Sequence, residues 1–66
     1  MTRLKELRQE KGLRILDVTC ATKIHSSTLS QIERGRLAVP IQTMGVICKF
    51  FGVDKDVLFD KNRIAV

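Results

Sequence analysis

Along this chain apolar side chains return at intervals of three and four, and short polar or glycine-bearing stretches cut the pattern into helical lengths. The breaks fall at Gly12, Lys23–His25, Gly35–Pro40 and Gly52–Asp54. Glycine and proline punctuation of this kind ends helices. No alternating strand pattern runs for more than a few residues, so the expectation is an all-α chain of five short helices.

The first expected helix, Thr2–Lys11, sets Leu4 and Leu7 on one side and most of its charges elsewhere. Thr2 suits the cap and Gly12 the stop. The second, about Ile15–Thr22, carries Ile15, Val18 and Ala21 or Thr22 at helical spacing. It is short and β-branched, so tertiary packing must hold it. A fourth helix, Ile41–Phe51, follows Pro40, a favoured residue at helix starts. Met44, Ile47, Cys48 and Phe51 form its apolar stripe, and Gly52 closes it. A last turn has Asp54 as cap and Val57, Leu58 and Phe59 as anchors. Asp60–Val66 carries no clear pattern and is read as a tail.

The third helix, about Ser26–Arg34, is the most informative. At 100° per residue Leu29 and Ile32 fall within about 60° of each other, enough for one narrow core stripe. Ser26, Ser27, Ser30, Gln31 and Arg34 spread over about 140° of the opposite side. That wide polar face carries no acid. Each serine lowers helix propensity by a few tenths of a kcal/mol relative to alanine, which points to a use for small hydroxylated side chains there.

Charge gives that face a partner class. The 66 residues hold twelve Lys and Arg against seven Asp and Glu, a formal net charge of +5. The excess favours a polyanion, nucleic acid before an acidic membrane surface. With no Trp or Tyr and three Phe at core spacing, stacking of single-stranded bases on aromatic platforms is disfavoured. Cys20 and Cys48 stand far apart with no clustered His or Cys, so they read as small hydrophobes in helix interiors. A disulfide is possible by count, and no metal or cofactor is expected. One His and no Gly-rich phosphate loop give no enzyme signature. No apolar run is long enough to span a bilayer, and Met1–Gly12 lacks a signal-peptide core, so a cytoplasmic location is expected.

The segment LRILDVTCATKIHSSTLSQIERG, Leu13–Gly35, resembles the helix-turn-helix of the Cro/repressor-like, or Xre-type, DNA-binding family. STLSQIERG (Ser27–Gly35) carries the strongest likeness. LKELRQEKGL (Leu4–Leu13) is similar to the family's first helix, and MGVICKFFGVDKDVLF (Met44–Phe59) to its fourth helix and closing turn. The resemblance implies a compact five-helix, lambda-repressor-like domain over residues 1–59, with the helix-turn-helix at about 15–34 and a tail at 60–66. It implies that Leu29 and Ile32 seat a recognition helix whose Ser26, Ser27, Ser30 and Gln31 face base edges in the major groove. Gln31 is suited to adenine N6/N7. It also implies a buried ion pair between Arg8 and Glu33. Three positions depart from the family. Ile15 stands where a phosphate-contacting Gln is usual, Thr19 where Ala is usual, and Lys23 where the turn has Gly.

Under that resemblance Arg14, Lys23, His25, Arg34 and Arg36 are the expected phosphate contacts, joined by the amides that open the fourth helix near Ile41 and Gln42. His25 has a plainer reading as a helix cap or surface residue. A unit this small reads too few base pairs for useful selectivity. A homodimer on a pseudo-palindromic double-stranded DNA operator is therefore expected, with half-site centres about 34–36 Å apart. Phe50, Val53, Val57 and Ile64 are the interface candidates, against the plainer alternative that Phe50 and Val57 complete the core. The expected function is a small transcriptional regulator, a repressor. The alternatives are a protein-interaction module or an antitoxin-type, partner-binding protein on the same fold. The apolar pair Ile15 and Leu16 would serve such a module, unless Ile15 packs inward and Leu16 covers the first helix.

Overall fold

The computed structural model describes all residues from Met1 to Val66. Five helices follow one another: α1 (Arg3–Glu10), α2 (Ile15–Thr22), α3 (Ser26–Glu33), α4 (Ile41–Phe51) and α5 (Lys55–Leu58). Their limits have local causes. Thr2 Oγ1 accepts from the Lys5 amide at 3.3 Å and caps α1. At α2 the Asp17 carboxylate reaches back to the Arg14 amide at 2.8 Å, one arm of a capping box. Gly52 adopts a left-handed φ of 69° and ends α4.

Thirteen buried apolar residues form one core. Leu4 of α1, Val18 of α2, Leu29 and Ile32 of α3, Val39, Ile47 of α4 and Leu58 of α5 are wholly enclosed. Every helix contributes at least one of them, so none is stable on its own account. α2 packs against α3 and α4, while α1 packs against α5.

Four details differ from the sequence expectation. Phe50 does not join Phe51 and Phe59 in the core. It is 38% exposed and sits edge-on to Phe51, ring centres 4.9 Å apart. Val57 is also exposed, at 41%, so these two residues do not complete the core. Leu16 is 57% exposed, because α2 packs mainly on α3 and α4. Cys20 is exposed on α2 while Cys48 is buried, and both are free thiols.

Residues 60–66 turn back on the body. Phe59 and Ala65 form an antiparallel bridge. The Val66 amide donates to Leu58 O at 3.1 Å and the Arg3 amide to Val66 O at 2.6 Å. Ala65 is buried and Ile64 half-buried as a result.

Candidate nucleic-acid interface

The turn between α2 and α3 is three residues long and fixes how the two helices meet. Lys23 caps α2 in the left-handed region, φ 64° and ψ 17°, and its amide donates to Thr19 O at 2.8 Å. A side chain in that region is strained by roughly 1 kcal/mol, which glycine would avoid. Ile24 follows as a buried anchor. His25 then caps α3: its Nδ1 accepts from the Ser27 amide at 3.4 Å and lies 3.0 Å from Ser27 Oγ. This is the plainer role allowed for His25, and it engages Ser27 as well.

Buried Leu29 and Ile32 seat α3, and Glu33 is buried beside them. On the other side Ser26, Ser27, Gln31 and Arg34 are exposed, and Ser30 is half-buried. Glu33 is held from α1. Arg8 Nε donates to Glu33 Oε2 at 2.6 Å and Arg8 Nη2 to Oε1 at 3.3 Å. The remaining guanidinium nitrogen donates to Leu13 O at 2.7 Å. Thr2 Oγ1 donates to Glu33 O, adding a second tie between the start of α1 and the end of α3.

The charge pattern around α3 follows from this burial. From Thr22 to Val53 the sequence has a single carboxylate, Glu33, and it is enclosed with Arg8. Lys23, Arg34 and Arg36 are all exposed in that stretch. The outer face of α3 and its flanks are thus cationic, and a helix-sized polar surface of this kind suits a polyanion. Glu6 and Glu10 lie elsewhere, in a shallow groove with Val53 and Val57.

Arg14 is exposed but not free. Its Nη2 lies 3.1 Å from Asp17 Oδ1, and Nε donates to Asp17 Oδ2 at 3.3 Å. The side-chain bond from Arg14, then the backbone one, holds the Asp17 carboxyl below its usual range. The same bond raises the Arg14 pKa. Beyond α3, the amides of Ile41, Gln42 and Thr43 at the start of α4 have no partner within the chain, and Ile41 and Gln42 are exposed.

Of the interface candidates, Phe50 and Val57 are exposed, Val53 and Ile64 half-buried. Ile64 Cγ2 is also within 3.8 Å of the place a Gly35 side chain would occupy, so part of its surface faces its own chain. Cys48 is buried, which pushes its thiol pKa up. No group of three or more His, Cys, Asp or Glu side chains gathers as a metal ion would require. No helix is long and apolar enough to cross a membrane.

Sequence reading missed two features. One is the turn Asp60–Ile64, whose Asp60 Oδ1 accepts from the amides of Asn62 at 2.8 Å and Ile64 at 3.0 Å. The Asp-x-Asn spelling is a turn signal that points to it. The other is Thr19, whose hydroxyl is buried without a partner. A threonine inside a closely packed helix crossing gives warning of that.

Residues 2–60 match the family described as a helix-turn-helix domain. The HTH-type transcriptional regulator DdrOP3 of Deinococcus deserti is 41% identical over 51 residues, which is 77% of this chain and 40% of that relative. The chain therefore spans less than half the length of the relative. No solved structure matches significantly. The five-helix order, the α2–turn–α3 unit and the match over nearly its whole length agree, and this chain belongs to the Xre-like helix-turn-helix family.

Proposed function

We propose that this chain binds double-stranded DNA sequence-specifically, as a transcriptional repressor, with α3 in the major groove. The observation that carries the reading is the burial of Glu33 against Arg8, which leaves the exposed side of α3 without any negative charge. Ser26, Ser27 and Ser30 are small enough for close approach to a groove about 12 Å wide, and Gln31 is the bidentate base reader. Lys23, Arg34 and Arg36 contact phosphate, together with His25 and the α4 amides at Ile41 and Gln42, while Arg14 is a further phosphate contact held back by its pairing with Asp17. Four phosphates neutralised per subunit give a slope of about −3.6 in log K against log salt. The relative's name, a transcriptional regulator, supports the same reading.

The binding unit in this proposal is a homodimer on a pseudo-palindromic operator, joined through exposed Phe50 and Val57 with half-buried Val53 and Ile64 at the edge. Selection of bound duplexes from a random library at two salt concentrations tests the whole reading. Enrichment of half-sites one turn apart supports it, and Gln31→Ala then relaxes one position per half-site by about 1–3 kcal/mol. Salt-sensitive binding without an enriched sequence removes the operator but keeps the DNA. The exposed Leu16 favours a second reading, a protein-interaction module, and absence of binding at low salt would select it.

A further inference from the structure

The loop between α3 and α4, Gly35–Val39, carries Arg36 and leads into the α4 amides. It has little hydrogen bonding of its own. Its last tie to α3 is the Arg36 amide on Gln31 O at 3.1 Å, and α4 begins its ladder only at the Met44 amide on Pro40 O. Between those two bonds, the Val39 amide is the only one with a backbone partner, Arg63 O at 2.9 Å. Arg63 returns the contact, with Nε donating to Val39 O at 2.9 Å. One residue thereby satisfies both backbone groups of Val39 from 24 positions away.

The far end of the loop meets the same segment. Ala65 O lies 3.0 Å from where a Cβ on Gly35 would sit, and Gly35 has a left-handed φ of 70°. A side chain there would crowd that carbonyl and require it to give by a few tenths of an ångström. The segment itself is fixed. Arg63 is held at φ 62°, a strained region for a side chain, by the Asp60 turn, where the Arg63 amide donates to Asp60 O at 2.9 Å.

We propose that Arg63–Ala65 splints the Gly35–Val39 loop, and that Arg63 is the positioning residue that aligns Arg36 with DNA phosphate. The proposal rests on the DNA-binding reading above. Ordering a cation before binding removes an entropic penalty from the complex. It also ties the groove-facing side of the domain to α1 and α5, because Val66 is hydrogen-bonded to Arg3 and Leu58.

Arg63→Asn tests this. Asparagine tolerates the left-handed backbone but lacks the guanidinium. The measurements are amide exchange of the free chain and binding to a random-sequence 20-base-pair duplex across a salt series, in wild-type and Arg36→Ala backgrounds. The expected result is faster exchange at Val39 and a salt slope shallower by about 0.9, one phosphate contact. In the Arg36→Ala background Arg63→Asn should produce no further change of slope. Asp60→Ala, which loosens the turn without touching Arg63, should reproduce the exchange effect. Unchanged exchange at Val39 overturns the splint whatever the DNA does. An equal loss of slope with and without Arg36 overturns the positioning role. A wild-type chain that leaves the duplex unbound at low salt refutes the DNA reading instead, and exchange at Val39 then decides on the splint alone.

Discussion

Arg8 and Glu33, 25 residues apart, meet through two nitrogen–oxygen contacts of 2.6 and 3.3 Å, and both side chains are withdrawn from water. The pair joins α1 to the helix that carries the polar face. Its net contribution to stability is small, because desolvating two charges offsets most of their attraction. What it supplies is orientation, and the masking of a carboxylate that would otherwise lie beside the cationic face.

Breaking the pair on one side leaves a buried charge without a partner. Glu33→Gln is expected to lower unfolding free energy by about 3–5 kcal/mol, a large share of what a domain this small has. Urea unfolding followed by circular dichroism reads it directly. Replacing both residues, Arg8→Met with Glu33→Leu, should return stability close to wild type. A double variant as unstable as Glu33→Gln would show that the pair itself, rather than the orphaned charge, is what the fold requires.

Lys23 couples stability and binding with opposite signs. Lys23→Gly relieves the left-handed strain at φ 64° and should stabilise the chain by about 0.5–1 kcal/mol. The same change removes a cation next to the helix-turn-helix. Under the proposed function the salt slope should become shallower by about 0.9. Thermal unfolding and a duplex salt titration on one preparation check both. A Lys23→Gly variant that binds with unaltered slope would remove Lys23 from the phosphate contacts.

Much of this was legible because local and global signals agreed. Leu29 and Ile32 sit on one stripe of an otherwise polar helix, and both are fully buried. Gly35 and Gly52 mark chain reversals that need positive φ. What could not be read depends on which helix lies next to which. Phe50 and Phe51 are neighbours 100° apart on a helix, and periodicity alone does not say which one a small core has room for. Leu16 is exposed because α2 packs on α3 and α4, a fact of tertiary arrangement. The last seven residues show only a local turn signal, whereas their fixed position comes from Leu58 nearby and from Val39 and Arg3, both distant in sequence.

Thr19 is a place where the sequence sits below its stability optimum. Its hydroxyl is buried with no partner, and an unsatisfied buried hydroxyl costs about 1–3 kcal/mol. Thr19→Ala removes that penalty but also a methyl group. A net gain of about 0.5–1 kcal/mol is expected, or roughly 4 °C in melting temperature for a chain of this size. Scanning calorimetry measures it. A loss of stability would mean that the methyl packing outweighs the stranded hydroxyl.

Asp17 limits what Arg14 can offer to DNA. Its carboxylate accepts from the Arg14 amide at 2.8 Å and from the Arg14 side chain at 3.3 and 3.1 Å. Asparagine can still accept from the amide, so Asp17→Asn should keep the start of α2 while releasing the guanidinium. Under the proposed function, binding to a duplex tightens, and the salt slope steepens by up to about 0.9 as Arg14 reaches phosphate. The same carboxylate gives a pH signature. Its pKa in the folded chain is lowered from the ordinary 3.8, so its contribution is complete above that value and is lost as pH falls through the lower, folded one. Wild-type stability should therefore drop more steeply than that of Asp17→Asn below pH 3.8, as measured by urea titration at fixed acid pH. Parallel acid profiles would mean that the Arg14 contact forms equally in the unfolded chain. An unaltered salt slope would leave Arg14 as the α2 cap alone.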